Sequence, residues 1–246
     1  MTMADSIQQT FVQLIQDRGL ELNETQLQQF ETYYRILVEW NEKINLTAIT
    51  DRDQVYIKHF YDSLSPSFFV NMSEINNLAD IGSGAGFPSI PLKIVYPHLR
   101  ISIIDSLNKR ISFLRHVTEQ LKLQDVDCLH ARAEDAGRNP SLRDSFDVVT
   151  ARAVARLPIL NEFCLPFVRV GGTFIALKGS DADGEIQESA YSLRQLRATL
   201  TAEHVFELPF SYGARRLIVI GKKDRTPSMY PRKPGVPLKS PLIRNE

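Results

Sequence analysis

From residue 76 onward, short apolar runs alternate with segments of helical periodicity, and this alternation constrains the fold more than any other feature. Helix-length segments lie at 88–96, 108–122, 156–168 and 183–199, with a less regular stretch at 134–145. Strands separated by helical crossovers predict a parallel, doubly wound α/β sheet. The predicted strands are NNLADI, RISIID, VDCLHA, FDVVTA, GTFIALK, EHVFELPF and RRLIVIGKK. Only the short SYGA joins the last two, so we expect them to pair antiparallel in a mostly parallel seven-stranded sheet.

Before this alternation begins, the sequence has a purely helical pattern. Apolar residues recur at three- and four-residue spacing over 7–15 and again over 27–44, which predicts two amphipathic helices. Asn23, with Gln26 three residues later, is a capping pair for the second of them. A third helix is predicted over 52–64, because a proline follows shortly after.

Length and composition indicate one domain with additions at both ends. The chain has 246 residues, of which 43% are hydrophobic and 24% charged, as in globular proteins that bury a core. We expect an N-terminal helical extension over 1–70, a Rossmann-like domain over 71–225 and a basic, proline-rich tail over 226–246. The tail should be extended rather than helical. The net charge is zero, yet the basic C-terminal end suggests an anionic partner, the alternative being a solvated tail that binds nothing.

Cysteine use and the N-terminus bear on the cellular setting. Cys128 and Cys164 lie far apart and outside any CxxC or Cys/His cluster, which argues against a disulfide scaffold and structural zinc, so no metal is expected. The N-terminus lacks the basic and apolar regions of a signal peptide, and no apolar run approaches the length of a membrane span. We therefore expect a soluble, cytoplasmic protein without membrane partners.

A glycine cluster, Gly82, Gly84 and Gly86, follows the first predicted strand. In an open α/β sheet, ligands bind beyond the carboxyl ends of the strands, so this loop is a candidate ligand site. A dinucleotide fingerprint would read GxGxxG, but here the third glycine comes one residue early and Phe87 takes its place. A Walker A loop would need GK[ST], which is absent. The spacing thus weakens the prediction of a phosphate-binding loop.

Acidic residues stand at the ends of the first three predicted strands. They are Asp80, Asp105 and Glu134, the last preceded by Ala133. S-Adenosyl-L-methionine asks for this set, because its ammonium, ribose diol and adenine each need a polar partner and its methionyl part needs close backbone approach at the glycines. Strand-end acids also cap helices, and dinucleotide enzymes carry an acid after the second strand. The constellation favours the methyl donor over both alternatives.

Longer motifs resemble those of the RsmG (GidB) family. They are DIGSGAGFPSIPLKI, DSLNKRISFL, RAED, FDVVTARAVA, GGTFIALKG and YPRKPGVPLKSPL. The resemblance runs from about Trp40 to the C-terminus, and DSLNKR and YPRKPG are its most specific parts. Members of this family are 16S ribosomal RNA methyltransferases that methylate a guanine at N7, with a class I S-adenosylmethionine-dependent methyltransferase fold. Ser89 departs from the family's usual glycine in GFPGIP, and we expect little effect from that change.

The resemblance implies roles for individual residues. These positions and the loop and strand-end residues above form one set of cofactor-binding candidates. The set is Asp80, Gly82, Gly84, Phe87, Asp105, Ser106, Leu107, Ala133, Glu134 and Arg152. Since N7 of guanine carries a lone pair and no proton, no acid or base is required, and catalysis rests on proximity and alignment. Arg152, at the end of the fourth strand, is the one side chain with a candidate catalytic role. The alternative for Arg152 is a plain salt bridge.

RNA must be held mainly through its phosphates. The candidate cations around the predicted edge are Lys109, Arg110, Lys178, Arg215, Arg216, Arg232 and Lys233. The motifs NEKINLT and HFYDSL also match the family, so Asn45, His59 and Asp62 are candidates for shaping the RNA entry, although a lone histidine is commonly a packing residue. The expected partner is 16S rRNA or the 30S subunit, and the protein is expected to be a monomer.

Two other functions stay open from the sequence. One is a nicotinamide-dependent oxidoreductase, since its fold and second-strand acid are similar. The other is an RNA-binding ribosome-assembly module with a vestigial cofactor pocket.

Overall fold

A seven-stranded sheet forms the centre of the computed structural model, which describes residues 6–180 and 182–244. Its strand order is β3-β2-β1-β4-β5-β7-β6. The strands are β1 (Asn77–Ile81), β2 (Arg100–Asp105), β3 (Val126–His130), β4 (Phe146–Arg152), β5 (Val168–Gly179), β6 (Ala198–Glu207) and β7 (Ala214–Lys222). The first five are parallel, and β7 runs antiparallel to both β5 and β6. The predicted fold class and the antiparallel final pair are confirmed.

The helices pack against the sheet in two buried clusters, one of which includes the N-terminal helices. They are α1 (Ser6–Gln16), α2 (Glu24–Ile44), α3 (Arg52–Val55), α4 (Asp62–Leu64), α5 (Ser89–Val95), α6 (Asn108–Gln120), α7 (Ala133–Ala136), α8 (Leu157–Cys164), α9 (Asp183–Gln195) and α10 (Val236–Lys239). A π-helical stretch, Tyr56–Tyr61, joins α3 to α4, and short 3₁₀ turns occupy Ser65–Phe68, Met72–Glu74 and Pro209–Ser211. Within the described ranges, no helix combines the length and apolar character that crossing a membrane demands.

The strand order places a ligand crevice beside β1. This strand pairs with β2 on one side and with β4 on the other. The chain therefore crosses from β1 to β2 in one direction and returns from β3 to β4 on the opposite side of β1. At such a switch point the loops after neighbouring strands diverge and open a crevice at their carboxyl ends. The glycine loop follows β1 directly and therefore lies at that crevice.

Two predicted helix ends are wrong. The helix predicted over 156–168 ends at Cys164 because Val168 already pairs with Phe146 at the start of β5. The helix predicted to reach residue 199 ends at Gln195 because Ala198 pairs with Lys222 of β7. In both cases strand pairing with a partner distant in sequence overrides a helical pattern that the local sequence would support.

The N-terminal helices share their hydrophobic core with the sheet. The predicted capping box of α2 is present: Asn23 accepts from the backbone N–H of Gln26, whose side chain accepts from that of Asn23. Phe60 packs against Phe30 and Tyr33, with ring centroids 5.1 Å and 5.3 Å away. The same cluster continues into buried residues of the sheet and its helices. The division at residue 70 stays a prediction about sequence regions, because the core crosses it.

The C-terminal tail is not wholly extended, contrary to the sequence-based expectation. It contains the single turn of helix α10, which begins after Gly235 in the left-handed region at φ 82°. Arg143 holds the start of the tail by donating to the carbonyl oxygens of Thr226, at 2.8 Å, and Tyr230, at 2.9 Å. The tail therefore lies against the domain as a fixed part of the fold.

Candidate active site

The loop between β1 and α5 has a backbone path that favours glycine at three positions. Gly82, Gly84 and Gly86 have φ values of 70°, 63° and 95°, in the region that side chains disfavour. A Cβ at Gly82 would lie 2.7 Å from Cγ2 of Val154, and one at Gly86 would lie 2.7 Å from the Tyr33 hydroxyl oxygen. Both positions thus exclude a side chain on steric as well as conformational grounds.

Asp80, at the end of β1, fixes this loop from beneath. Its buried carboxylate accepts hydrogen bonds from the hydroxyls of Ser83, of Ser89 at 2.6 Å and of Thr150 at 3.0 Å. Burial raises the pKa of Asp80 to about 6, and these hydrogen bonds oppose the rise. The Asp80 carboxylate is enclosed by protein and does not line the first cavity described below. Ser89, from which we expected little effect, contributes one of the three hydroxyls.

A cavity of about 260 Å³ opens at the ends of β1, β2 and β3. Of the predicted cofactor-binding residues, the structure brings four into its lining: Gly82, Ser106, Ala133 and Glu134. Its other lining residues are Ile81, Ile104, Ala131, Arg132, Val154, Phe163 and Leu238. Sequence reasoning missed this second group. Ile81, Arg132, Val154 and Leu238 lie within the family motifs but were not singled out there, and Ile104, Ala131 and Phe163 are apolar residues that no sequence signal separates from the core.

Asp105 and its neighbours lie beside the cavity. The buried carboxylate of Asp105 accepts from the backbone N–H groups of Gly84, at 3.1 Å, and Leu107, at 2.9 Å. Arg110 approaches the same carboxylate at 3.5 Å. Asp105 thereby ties the glycine loop to the turn after β2, and Leu107 is exposed.

The cavity fits the chemistry of S-adenosylmethionine. A glycine backbone borders it where no Cβ could be accommodated, as close approach of an aminoacyl group requires. Apolar side chains of Ile104, Phe163 and Leu238 suit a flat adenine ring, and Ser106 and Glu134 supply polar groups near it. The donor and acceptor set therefore matches a nucleoside that carries an amino acid.

Arg152 and Phe87 belong to a different cluster. The Arg152 guanidinium lies 4.7 Å from the centroid of the buried Phe87 ring and donates to Oδ2 of Asp62 at 3.1 Å. The His59 ring stacks on the same phenylalanine at 4.6 Å and is hydrogen-bonded to the Thr47 hydroxyl at 2.9 Å. Phe87 packs in the core instead of lining the first cavity, and Arg152 does not line it either.

A second cavity, of about 380 Å³, lies on the other side of the end of β4. Among the predicted residues, its lining includes His59, Arg152, Lys178 and Arg215, together with Asp62. Its remaining lining residues are Ile49, Lys58, Ala153, Leu177, Gly179 and Glu185. Asp62 lies between two cations, because its other oxygen, Oδ1, is 3.2 Å from Nε of Arg215. Glu185, which the sequence did not single out, holds Lys178 at 2.8 Å.

The other RNA candidates are dispersed. Asn45 caps the C-terminal end of α2 in the left-handed conformation. Arg216 is held by Asp183 and Glu203, at 2.5 Å and 2.6 Å.

Lys109 and Lys233 are exposed, and neither forms an ion pair within residues 6–180 and 182–244. The same ranges contain no group of three potential metal ligands.

The comparisons with known proteins identify the class. An O-methyltransferase of Agrobacterium tumefaciens, so designated by prediction, superposes with a TM-score of 0.54 at 15% identity, over 67% of this chain and 82% of that one. The TYW2 protein of M. jannaschii, solved in complex with AdoMet, gives 0.53 at 17% identity, over 68% and 76% of the two chains. Together with the sheet topology, these likenesses establish the class I S-adenosylmethionine-dependent methyltransferase fold.

Sequence comparison defines the family. The model of the GidB family, rRNA small subunit methyltransferase G, matches residues 26–209. The chain is 54% identical over 229 residues to the ribosomal RNA small subunit methyltransferase G of Staphylococcus aureus strain Newman, covering 93% of this chain and 95% of the relative. The chain belongs to the GidB family. It is an S-adenosylmethionine-dependent methyltransferase that acts on ribosomal RNA, which decides against the oxidoreductase and against a vestigial pocket.

A Gly82→Ala variant should bind S-adenosylhomocysteine about 10- to 100-fold more weakly, because the methyl group strains the backbone and pushes Val154. Isothermal titration calorimetry measures the loss. The matched control is Gly184→Ala, since Gly184 lies in α9 with open space where its Cβ would be. Equal affinity in the two variants would remove the glycine loop from the cofactor site.

The stability of the protein should fall in acid because of His59. Burial, followed by the charge of Arg152, lowers the pKa of His59 from 6.5 to about 3. Below pH 6.5 this histidine is protonated in the unfolded chain but stays neutral in the folded protein. The contribution of His59 to the free energy of unfolding is therefore fully present above pH 6.5 and is lost as the pH falls towards 3. Between pH 7 and pH 5, the unfolding free energy should drop by about 2 kcal/mol relative to His59→Gln.

Urea unfolding at several pH values measures this difference. A variant of the exposed His98, His98→Gln, should keep the pH dependence of the unmodified protein. Parallel stability curves for the unmodified protein and His59→Gln would contradict the assignment.

Proposed function

We propose that this protein transfers the methyl group of S-adenosylmethionine to N7 of a guanine in 16S rRNA, as a cytoplasmic monomer acting on the RNA or the 30S subunit. The observation that carries the proposal is the pair of cavities on opposite sides of the end of β4. Consecutive residues after β4 belong to the two linings: Arg152 and Ala153 line the second cavity, and Val154 lines the first. A cofactor in the first and a base in the second would meet across this short segment.

The chemistry asks for positioning. When bound, the cofactor supplies a sulfonium methyl group, and N7 of guanine offers a lone pair without a proton. The chain therefore needs no general base, and its contribution is alignment and exclusion of water. The fixed geometry of Arg152, held by Asp62 and by the Phe87 ring, supports this role.

Charge in the second cavity suits an RNA nucleotide. Lys58, Arg152, Lys178 and Arg215 line it, against only two carboxylates, Asp62 and Glu185. The excess of cations favours phosphate, and the N–H groups of arginine also match guanine O6. Exposed cations outside the cavity, such as Lys109, would add phosphate contacts without sequence selectivity.

Two aromatic residues, the exposed Phe210 and the half-buried Tyr212, line a separate cavity from the second one. The ammonium of Lys58 lies 4.4 Å from the centroid of the Tyr212 ring, and Phe210, two residues earlier in the turn between β6 and β7, is 62% exposed. Exposed aromatic rings beside cations are suited to stacking unpaired RNA bases. These two rings would place a flanking nucleotide next to the second cavity.

The direct test is to map the methylated atom. Purified protein is incubated with labelled S-adenosylmethionine and either free 16S rRNA or 30S subunits from a strain that lacks this protein. Borohydride reduction followed by aniline cleaves RNA at N7-methylguanine, so a single new cleavage is expected. Label incorporated without cleavage would place the methyl on another atom and overturn the N7 assignment. The substrate that is methylated faster distinguishes free RNA from the subunit.

An Arg152→Gln variant should lower kcat by about 100-fold while its affinity for S-adenosylhomocysteine stays within about twofold, because Arg152 lies outside the first cavity. Single-turnover methylation and calorimetry give the two quantities. Arg156→Gln is the matched control, since Arg156 makes an ion pair with Glu188 at the surface. If cofactor affinity falls along with kcat, Arg152 contacts the cofactor, as the resemblance implies.

A further inference from the structure

The C-terminal tail contacts the first cavity through both its backbone and a side chain. Its backbone reaches the first cavity, where the N–H of Gly235 donates to Oε1 of Glu134 at 2.9 Å. Glu134 is buried and lines that cavity. One turn later, Leu238 lines the same cavity although it is 55% exposed. A large, partly exposed apolar side chain that lines a ligand cavity is suited to cover a ligand.

A buried ion pair fixes the tail in this position. The carboxylate of Glu162, in α8, is fully buried and accepts from Nη2 of Arg232 at 2.6 Å, from its Nε at 3.0 Å and from its backbone N–H at 2.7 Å. A buried carboxylate needs such compensation, so the guanidinium of Arg232 is committed to Glu162. This geometry gives the tail's arginine a structural partner in place of the RNA phosphate expected from the sequence.

We propose that the segment 232–240 is a wall of the cofactor cavity, in which Leu238 covers the adenine ring and the Gly235 N–H orients the Glu134 carboxylate. The segment positions the cofactor, and Arg232 acts by anchoring it to Glu162. The proposal rests on the assignment of the first cavity to S-adenosylmethionine. It is independent of which base or atom is methylated, so mapping of the product can fail while this proposal stands.

Calorimetry with S-adenosylhomocysteine on the full chain tests the wall. Leu238→Ala should weaken binding about 10-fold, because the apolar cover of the ring is lost. The matched control is Met229→Ala, earlier in the tail, since Met229 is 63% exposed and lies outside both the cavity lining and the segment 232–240. Its affinity should stay within about twofold of the unmodified protein. Affinity of Leu238→Ala equal to that of the control would overturn the proposal.

A second pair of variants separates the wall from an RNA-binding tail. Arg232→Gln removes the cation, whereas Glu162→Gln keeps it and weakens only the anchor. Both should lower the affinity for S-adenosylhomocysteine and leave the salt dependence of RNA binding unchanged. If only Arg232→Gln weakens RNA binding, with a shallower salt slope and normal cofactor affinity, the tail is an RNA contact and the wall is refuted. Thermal unfolding of each variant confirms that the comparison is made on folded protein.

Discussion

The buried carboxylate of Asp80 is the interaction on which the arrangement of the site depends. It lies at the end of β1, where the chain leaves the sheet, and accepts from hydroxyls of the glycine loop, of α5 and of β4. A buried carboxylate is tolerated only with such partners, so the elements that supply them are held in register with the strand end. The loop, the helix after it and the neighbouring strand are thereby joined at one point.

From that point the site divides in two. On one side, the loops after β1, β2 and β3 form a cavity that is lined by Gly82 and by several apolar side chains. On the other side, the end of β4 meets the N-terminal helices in a cavity lined by cations. Arg152 is held between Asp62 of the N-terminal region and the Phe87 ring, which follows the glycine loop.

The N-terminal helices and the C-terminal tail complete a site that the sheet by itself leaves open. The helices supply His59 and Asp62 to the second cavity, and the tail supplies Leu238 to the first. Both additions are held to the domain by ion pairs whose carboxylate is buried, Asp62 with Arg152 and Glu162 with Arg232. Polar contacts of this kind fix orientation, whereas apolar packing alone would leave it adjustable.

The sequence by itself determined the fold class, because the alternation of apolar runs and helical segments predicts a parallel, doubly wound sheet, and the short final connection predicts its antiparallel last pair. Four of the cofactor-binding candidates line the first cavity: Gly82, Ala133 and Glu134 follow from strand ends that meet at one edge of a parallel sheet, and Ser106 from the family resemblance. Tertiary structure alone decided that Arg232 pairs with Glu162 and that Phe87 packs in the core. It also decided that Leu238, near the C-terminus, lines the same cavity as Gly82 of the glycine loop. Those contacts join residues that are distant in sequence, and each depends on which buried carboxylate or apolar surface the folded chain brings next to it. No local sequence pattern encodes that.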